Sequence, residues 1–147
     1  QGIVHLDLKP ENIILTAGGP CLIDFGSSGL RGAEGQMAFT TVLSGSPGYM
    51  APERLVGHYS PASDCFSLGL VAQEMLTGKL LSDYAVPYFE AGFVDALAAA
   101  LHPIAGANAH QVARYLMSAF DANPSNRPVG LTAWVECWAA LLRDGAA

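Results

Sequence analysis

Acidic, basic and amide side chains lie close together in one short stretch of the sequence, HLDLKPEN at residues 5–12. Asp7, Lys9 and Asn12 supply these groups, and Pro10 removes a backbone donor and fixes φ, which predicts a rigid loop. An acid, an ammonium and an amide on one loop have the chemistry to meet a polyanion and an incoming hydroxyl together. A charged turn ahead of a hairpin is the alternative that this stretch alone leaves open.

A second carboxylate, Asp24, ends the apolar run CLID at residues 21–24. We expect the adjacent strand to bring it beside Asn12, with Gly26 freeing the backbone just after it. At about 4 Å and an effective dielectric constant of about 20, Asp7 and Asp24 would repel each other by about 4 kcal/mol. A divalent cation removes this objection. Carboxylate and amide oxygens suit Mg²⁺, which keeps waters and phosphate oxygens as its other ligands.

The elements that must position these side chains are two strands followed by helices. The runs 12–15 and 21–24, joined by the turn TAGGP, predict a β-hairpin, and the Gly-, Ser- and Thr-rich residues 25–49 predict a long loop. Helical spacing and end signals predict helices at 51–57, 61–78, 88–101, 108–121 and 131–143. Trp134 and Trp138 in the last of these are expected to anchor the core.

Composition limits the class of protein. The 147 residues predict one domain, and a net charge of −6 argues against nucleic acid as a partner. The three cysteines have no CxxC spacing, so we expect small buried hydrophobes in a reducing compartment rather than disulfides or a zinc site. No apolar run is long enough for a membrane helix, and the expected location is cytoplasmic, with any membrane anchor of a longer parent protein lying outside these residues.

Five motifs occur in order along the chain: HLDLKPEN (5–12), DFG (24–26), GSPGYMAPE (45–53), SDCFSLG (63–69) and NPSNRP (123–128). Together they resemble the protein kinases of the eukaryotic type, bacterial members included. The resemblance implies an α+β, predominantly helical fold: the C-terminal lobe of a kinase, with a small β-hairpin at the catalytic loop and no N-terminal lobe. It implies one partial kinase domain over 1–147, made of a catalytic loop (5–12), the Asp-Phe-Gly (24–26), an activation segment (24–53) and a helical subdomain (54–143).

The resemblance also implies chemical roles, with ATP and Mg²⁺ as cofactors. Asp7 would accept or orient the substrate hydroxyl proton, and Lys9 would contact the γ-phosphate. Asn12 and Asp24 would hold the Mg²⁺ ions that bridge the phosphates. Ile14, on the strand after Asn12, would form the floor beneath the adenine.

Further residues take supporting roles by the same resemblance. His5 and Phe25 would be the two lower members of an internal hydrophobic spine. Asp64 would hydrogen-bond the backbone of the catalytic loop, although its position also suits a carboxylate at a helix start. Glu53 and Arg127 would form a buried ion pair that anchors the activation segment.

Two positions depart from the family pattern. DLKPEN resembles the serine/threonine class, and Ser46 replaces the usual threonine, with a hydroxyl still able to bond to the acid and ammonium of the loop. Leu6 replaces the arginine that usually receives an activation-loop phosphate, and leucine cannot form an ion pair. Thr40, Thr41 and Ser44 are therefore expected to be modulatory phosphosites only.

Three functions are compatible with the sequence. The first is part of an active serine/threonine kinase acting on a protein Ser or Thr, with the Gly-rich loop and strand lysine on an N-terminal lobe that this chain lacks. On that interpretation the chain alone transfers phosphate negligibly. The second is a pseudokinase or scaffold, which the intact polar set argues against. The third is a small-molecule phosphotransferase of the aminoglycoside or choline type, which the GYMAPE segment argues against.

Overall fold

The computed structural model describes residues 3–31, 37–38 and 46–145 of the chain. Within them the fold is mostly helical, with two small antiparallel sheets. The strands are β1 (Ile3–Val4), β2 (Ile13–Thr16), β3 (Gly19–Leu22), β4 (Gly29–Arg31) and β5 (Met37–Ala38). The longer helices are α1 (Pro61–Thr77), α2 (Phe93–Ala105), α3 (Ala109–Ala119) and α4 (Leu131–Gly145).

The predicted hairpin is present as β2 and β3. They pair antiparallel with Ile14 opposite Cys21, and Gly19 enters β3 with a φ of 112°, which suits glycine at the turn. The N–H of Ile23 donates to the carbonyl of Asn12 at 3.0 Å, so the pairing extends one step beyond the strands. This extension carries the loop before β2 and the segment after β3 to the same end of the hairpin.

The prediction of one long loop over 25–49 was wrong in its first part. A 3₁₀ turn at Phe25–Ser27 is followed by β4, which lies between β1 and β5 in a three-stranded sheet. β1 and β5 have two residues each, too few to show a period in the sequence. The sheet forms because β1, directly ahead of the catalytic loop, pairs with β4.

The predicted helices are present with shifted ends. The segment predicted at 51–57 is a 3₁₀ helix, Pro52–Val56, and α1 begins and ends as predicted between a Ser60 cap and Gly78. The helix predicted at 88–101 begins instead at Phe93, because successive turns bond Glu90 to Pro87 and Phe93 to Glu90.

The four longer helices enclose one apolar core. Phe93, Leu97 and Leu101 on α2 and Leu116 on α3 are fully buried. Gly69 lets α1 and α3 approach closely, since a Cβ there would lie 2.6 Å from the Cβ of Ala119. This core forms the platform under the catalytic loop.

Burial corrects the expectation for the cysteines. Only Cys65 is buried, where burial raises the pKa of its thiol to about 11. Cys21 on β3 and Cys137 on α4 are exposed. Trp134 is buried as expected, and its indole N–H donates to the Tyr115 carbonyl at 2.7 Å. Among the described residues, no helix has both the length and the apolar character needed to cross a membrane.

Candidate functional site

The backbone ahead of Asp7 is held from below by Asp64 in the first turn of α1. The N–H groups of His5 and Leu6 donate to the two carboxylate oxygens of Asp64 at 2.7 and 2.8 Å. Burial raises the pKa of Asp64, although these donors and nearby positive charge oppose the shift. One carboxylate thus fixes the two peptide groups before the candidate catalytic residue.

Three donors surround the carboxylate of Asp7. The Ser46 N–H donates to Oδ1 at 2.9 Å, the Asn12 side-chain amide donates to Oδ2 at 3.1 Å, and the Lys9 ammonium lies 3.3 Å from Oδ2. Lys9 also donates to the Ser46 hydroxyl at 2.8 Å. The structure therefore brings Asp7, Lys9, Asn12 and Ser46 into one hydrogen-bonded group.

These contacts determine the charge of Asp7. Its partial burial would raise the pKa of the carboxyl, but the Ser46 N–H and the Lys9 ammonium outweigh burial and hold that pKa below its ordinary value. Asp7 is therefore an ionised acceptor at neutral pH. A hydroxyl that approaches this carboxylate meets a fixed negative charge with a fixed cation beside it.

Asn12 lies at the start of the hairpin and is buried. Its amide nitrogen donates both to the Asp7 carboxylate and to the Asp7 carbonyl, the latter at 2.8 Å. Both bonds use the nitrogen, so the amide oxygen, the atom that a cation needs, takes no part in them.

Asp24 follows β3 at the same end of the hairpin. It adopts a left-handed conformation with a φ of 60°, and its Oδ1 accepts the N–H of Gly26 at 3.2 Å. The sequence suggested that Gly26 would supply the special backbone conformation, but Asp24 itself has the positive φ. Its carboxylate is exposed, as a group that receives a ligand from outside must be.

His5 and Phe25 contact each other below this end of the hairpin. Their ring centroids lie 4.8 Å apart, and the His5 Nε2 lies 3.0 Å from the Ile23 carbonyl. Since the Asp7 N–H donates to Nδ1 at 3.3 Å, the ring proton belongs on Nε2. His5 is buried and Phe25 is 49% exposed, so the contact is open to solvent on the Phe25 side.

The hairpin exposes large aliphatic side chains beside these groups. Ile14 is 47% exposed. Leu22 is 42% exposed and lies on the other face of the hairpin, because it pairs with Ile13.

Glu53 and Arg127 form a bidentate ion pair. Arg127 donates to the two Glu53 oxygens at 2.7 and 2.9 Å and to the carbonyls of Ala62 and Asp121 at 2.9 Å. Its guanidinium also lies 4.9 Å from the centre of the Phe66 ring. The burial of Glu53 would raise its pKa, but Arg127 and other donors hold that pKa below its ordinary value. The segment after Ser46 is thereby fastened to the helical core.

Two further contacts were not foreseen from the sequence. The buried guanidinium of Arg54 donates to the Leu6 carbonyl, and the Tyr49 hydroxyl donates to Glu74 on α1. Burial, followed by the Glu74 carboxylate, raises the pKa of Tyr49. A single arginine or tyrosine in a polar segment carries no signal that it will be buried. Thr40 and Thr41 lie outside the described residues, as does Ser44.

Comparison with known proteins agrees with the motif order. The family profile of the protein kinase domain matches residues 1–91. The match includes the loop with Asp7, the segment with Asp24 and the whole of α1. Arg127 lies beyond it, but its partner Glu53 lies within it.

Curated relatives are protein kinases from plants, bacteria and yeast. The chain is 48% identical over 81 residues to serine/threonine-protein kinase PEPKR2 of Arabidopsis thaliana, covering 54% of this chain and 17% of that protein. It is 46% identical over 84 residues to serine/threonine-protein kinase C of Synechocystis, covering 52% and 16%. It is 44% identical over 79 residues to the MAP kinase kinase MKK1/SSP32 of Saccharomyces cerevisiae, covering 52% and 15%.

The chain thus spans about a sixth of the length of these relatives. The profile covers more than half of this chain, and its matched range includes the polar side chains around Asp7. The chain therefore belongs to the protein kinase domain family.

Proposed function

We propose that this chain carries the catalytic loop of a serine/threonine protein kinase, which transfers the γ-phosphoryl group of ATP to a protein Ser or Thr hydroxyl. The observation that supports this most strongly is the arrangement of Asp7. Its carboxylate is held by Ser46, Asn12 and Lys9, three donors from separate positions, and still has 12% of its side chain exposed. A fixed, ionised and accessible acceptor is what orienting a hydroxyl requires.

Lys9 supplies positive charge on the same side of the loop. Its ammonium has 25% of its side chain exposed and is held by the Asp7 carboxylate and the Ser46 hydroxyl. A γ-phosphate placed next to Asp7 would therefore meet the ammonium, which offsets the charge of the moving phosphoryl group. As the substrate oxygen bonds to the γ-phosphorus, the bond from that phosphorus to the bridging β–γ oxygen would break and ADP would leave, while Asp7 accepts the hydroxyl proton.

Asn12 and Asp24 are the residues we propose to hold Mg²⁺. One amide oxygen and one carboxylate fit an ion that takes few protein ligands and fills its octahedron with water and phosphate oxygens. No group of three or more His, Cys, Asp or Glu among the described residues forms a metal site of another kind. When bound, Mg²⁺ neutralises phosphate charge; Asn12 and Asp24 would fix its place on the hairpin.

The exposed side chain of Ile14 on β2 is the proposed floor for the adenine. His5 and Phe25 would form the lower part of an internal spine, since their rings contact each other with centroids 4.8 Å apart. We propose that the exposed Ile14 and Phe25 are covered in the working enzyme by nucleotide and by an N-terminal kinase lobe. On this view the chain is one C-terminal lobe. The cytoplasmic location stays a prediction.

The proposed substrate class is a protein rather than a small molecule. Glu53 and Arg127 fasten the segment Ser46–Val56 to the core, which gives a peptide substrate a fixed surface beside Asp7. DLKPEN favours Ser and Thr over Tyr as acceptors.

The test is a phosphotransfer assay with the protein in its full natural length. We expect label from γ-³²P-ATP to appear on Ser and Thr of a general protein substrate, to depend on added Mg²⁺, and to disappear with EDTA. Label on choline or an aminoglycoside instead, or ATP binding without transfer to any acceptor, would contradict the proposal.

A further inference from the structure

We propose that Arg54 is a positioning residue for the catalytic loop: its guanidinium holds the Leu6 carbonyl and thereby the backbone that carries Asp7. This inference rests on the proposed function, because it assigns Arg54 an effect on the rate of phosphoryl transfer. The family motifs do not include it, since Arg54 follows the Ala-Pro-Glu glutamate.

The contact joins two segments that are distant in sequence. Arg54 lies on the 3₁₀ helix Pro52–Val56 and donates through Nη1 to the Leu6 carbonyl, a separation of 48 residues along the chain. Leu6 is directly followed by Asp7. The bond therefore connects the end of the activation segment to the peptide group that leads into the candidate catalytic residue.

Leu6 needs such support because of its backbone conformation. Its φ is 66°, in the left-handed region, which is strained for a residue other than glycine. The conformation persists only where the surroundings hold it. The Leu6 N–H donates to Asp64 at 2.8 Å, and Arg54 donates to the Leu6 carbonyl. The peptide groups on both sides of the strained residue are therefore hydrogen-bonded.

Burial makes this contact strong and specific. Arg54 is 3% exposed and Leu6 is 2% exposed, so water does not compete for the bond. The guanidinium also lies 5.7 Å from the centre of the Tyr59 ring. Burial lowers the pKa of Arg54, while Tyr59 and the carboxylates of Asp64, Asp7 and Glu53 oppose the shift. Leu6 has no charged side chain. The buried cation next to this part of the loop belongs to Arg54, which lies on another segment.

The consequence concerns rate rather than nucleotide binding. Arg54 is buried and contacts the loop backbone, whereas Ile14, the proposed floor for the adenine, is exposed on β2. Loss of the contact frees Leu6 to leave its left-handed conformation, which turns Asp7 away from its three donors. The Michaelis constant for ATP should then change little while kcat falls.

The experiment compares four forms of the protein in its full natural length: wild type, Arg54→Met, Arg54→Lys and the control Arg114→Met. Arg114 is exposed on α3, outside the site. We expect Arg54→Met to lower kcat about tenfold or more, equivalent to about 1.4 kcal/mol, with the Michaelis constant for ATP unchanged within about twofold. Arg54→Lys should recover part of kcat, because its ammonium still reaches a carbonyl, and Arg114→Met should match wild type.

A second readout, hydrogen exchange of the peptide covering residues 3–8, does not depend on activity. We expect faster exchange there in Arg54→Met, with exchange of α2 unchanged. If Arg54→Met fails to fold, Arg54→Gln, which fills similar space without the charge, takes its place with the same expected results.

Three results would overturn the inference: wild-type kcat in the folded Met or Gln variant, a loss of kcat only in proportion to the unfolded fraction, or unchanged exchange over residues 3–8. Absence of phosphotransfer in wild type would instead count against the proposed function. The exchange measurement would then still decide whether Arg54 holds the loop.

Discussion

Two regions differ in how completely their polar groups are bonded: the Glu53–Arg127 ion pair, called the base below, and Asp24 at the end of the hairpin, called the rim. At the base, Arg127 makes four hydrogen bonds to Glu53 and two carbonyls with none of its side chain exposed. At the rim, Asp24 accepts a hydrogen bond from the nearby Gly26 N–H and is exposed. The polar atoms of the base are hydrogen-bonded within the chain. The exposed carboxylate of the rim can still bind a ligand.

This difference predicts that the two regions respond to mutation in separate ways. Changes at the base should lower the stability of the fold, because each leaves a buried partner uncompensated. Changes at the rim should leave the free energy of unfolding nearly unchanged, and should weaken Mg²⁺ binding or lower the rate of phosphotransfer. Asp7 lies between the two: its three donors fix it as the base is fixed, yet it remains accessible as the rim is.

The largest expected effect on stability is at the ion pair of the base. Arg127→Met should lower the free energy of unfolding by about 3–5 kcal/mol, because Glu53 stays buried without its partner. Urea unfolding measures this. Arg114→Met is the matched control, an exposed arginine whose loss should cost no more than about 0.5 kcal/mol. Equal losses in the two variants would show that the buried pair does not anchor the fold.

A smaller effect on the same pair should appear with pH. The pKa of Glu53 in the folded chain is held below its ordinary value of 4.5, so its stabilising contribution is present above that value. The contribution is lost as the pH falls through the lowered pKa of the folded state. Unfolding curves below about pH 4.5 should therefore show a steeper loss of stability for wild type than for Glu53→Gln. Parallel curves would contradict this assignment.

At the rim, Asp24→Asn should separate metal use from stability. The asparagine oxygen can still accept the Gly26 N–H, so the free energy of unfolding should change by no more than about 0.5 kcal/mol. The Mg²⁺ concentration needed for half-maximal phosphotransfer should rise about 100-fold, the upper end of losses seen when a metal site is weakened. An unchanged Mg²⁺ requirement would remove Asp24 from the proposed site.

The smallest effect is expected from the candidate phosphosites. Replacing Thr40, Thr41 and Ser44 together by alanine should lower kcat by less than about threefold, or about 0.7 kcal/mol. Leu6 stands where an arginine would receive the phosphate, so phosphorylation lacks its usual partner. Loss of all activity in this triple variant of the full-length protein would show that the activation segment depends on phosphorylation after all.

Some of this site could be predicted from residue types alone. Pro10 and the alternation of charge in HLDLKPEN indicated a rigid polar loop, and the apolar runs on either side of TAGGP indicated the hairpin that carries it. The positions of α1 and its caps followed from Ser60, Pro61 and Gly78. These features are local, and local chemistry determines them.

Other features depend on contacts between distant segments and left no local signal. β1 and β5 are too short to show a period, so the sheet that holds β4 was missed. Arg54 occurs in a short 3₁₀ helix, where an arginine normally faces solvent. Its burial depends on tertiary contacts, among them those with Leu6 and the Tyr59 ring. Cys21 and Cys137 are exposed, and the spacing of the cysteines in the sequence could not predict which of them are buried.

The most direct test of the whole account is a paired measurement on Asp7→Asn in the full-length protein, with melting temperature and kcat determined on the same sample. Asparagine keeps the size and one acceptor oxygen but loses the charge that orients the hydroxyl. We expect kcat to fall about 100- to 10,000-fold while the melting temperature shifts by only a few degrees. Activity within about twofold of wild type in the folded variant would contradict the claim that Asp7 takes part in phosphoryl transfer.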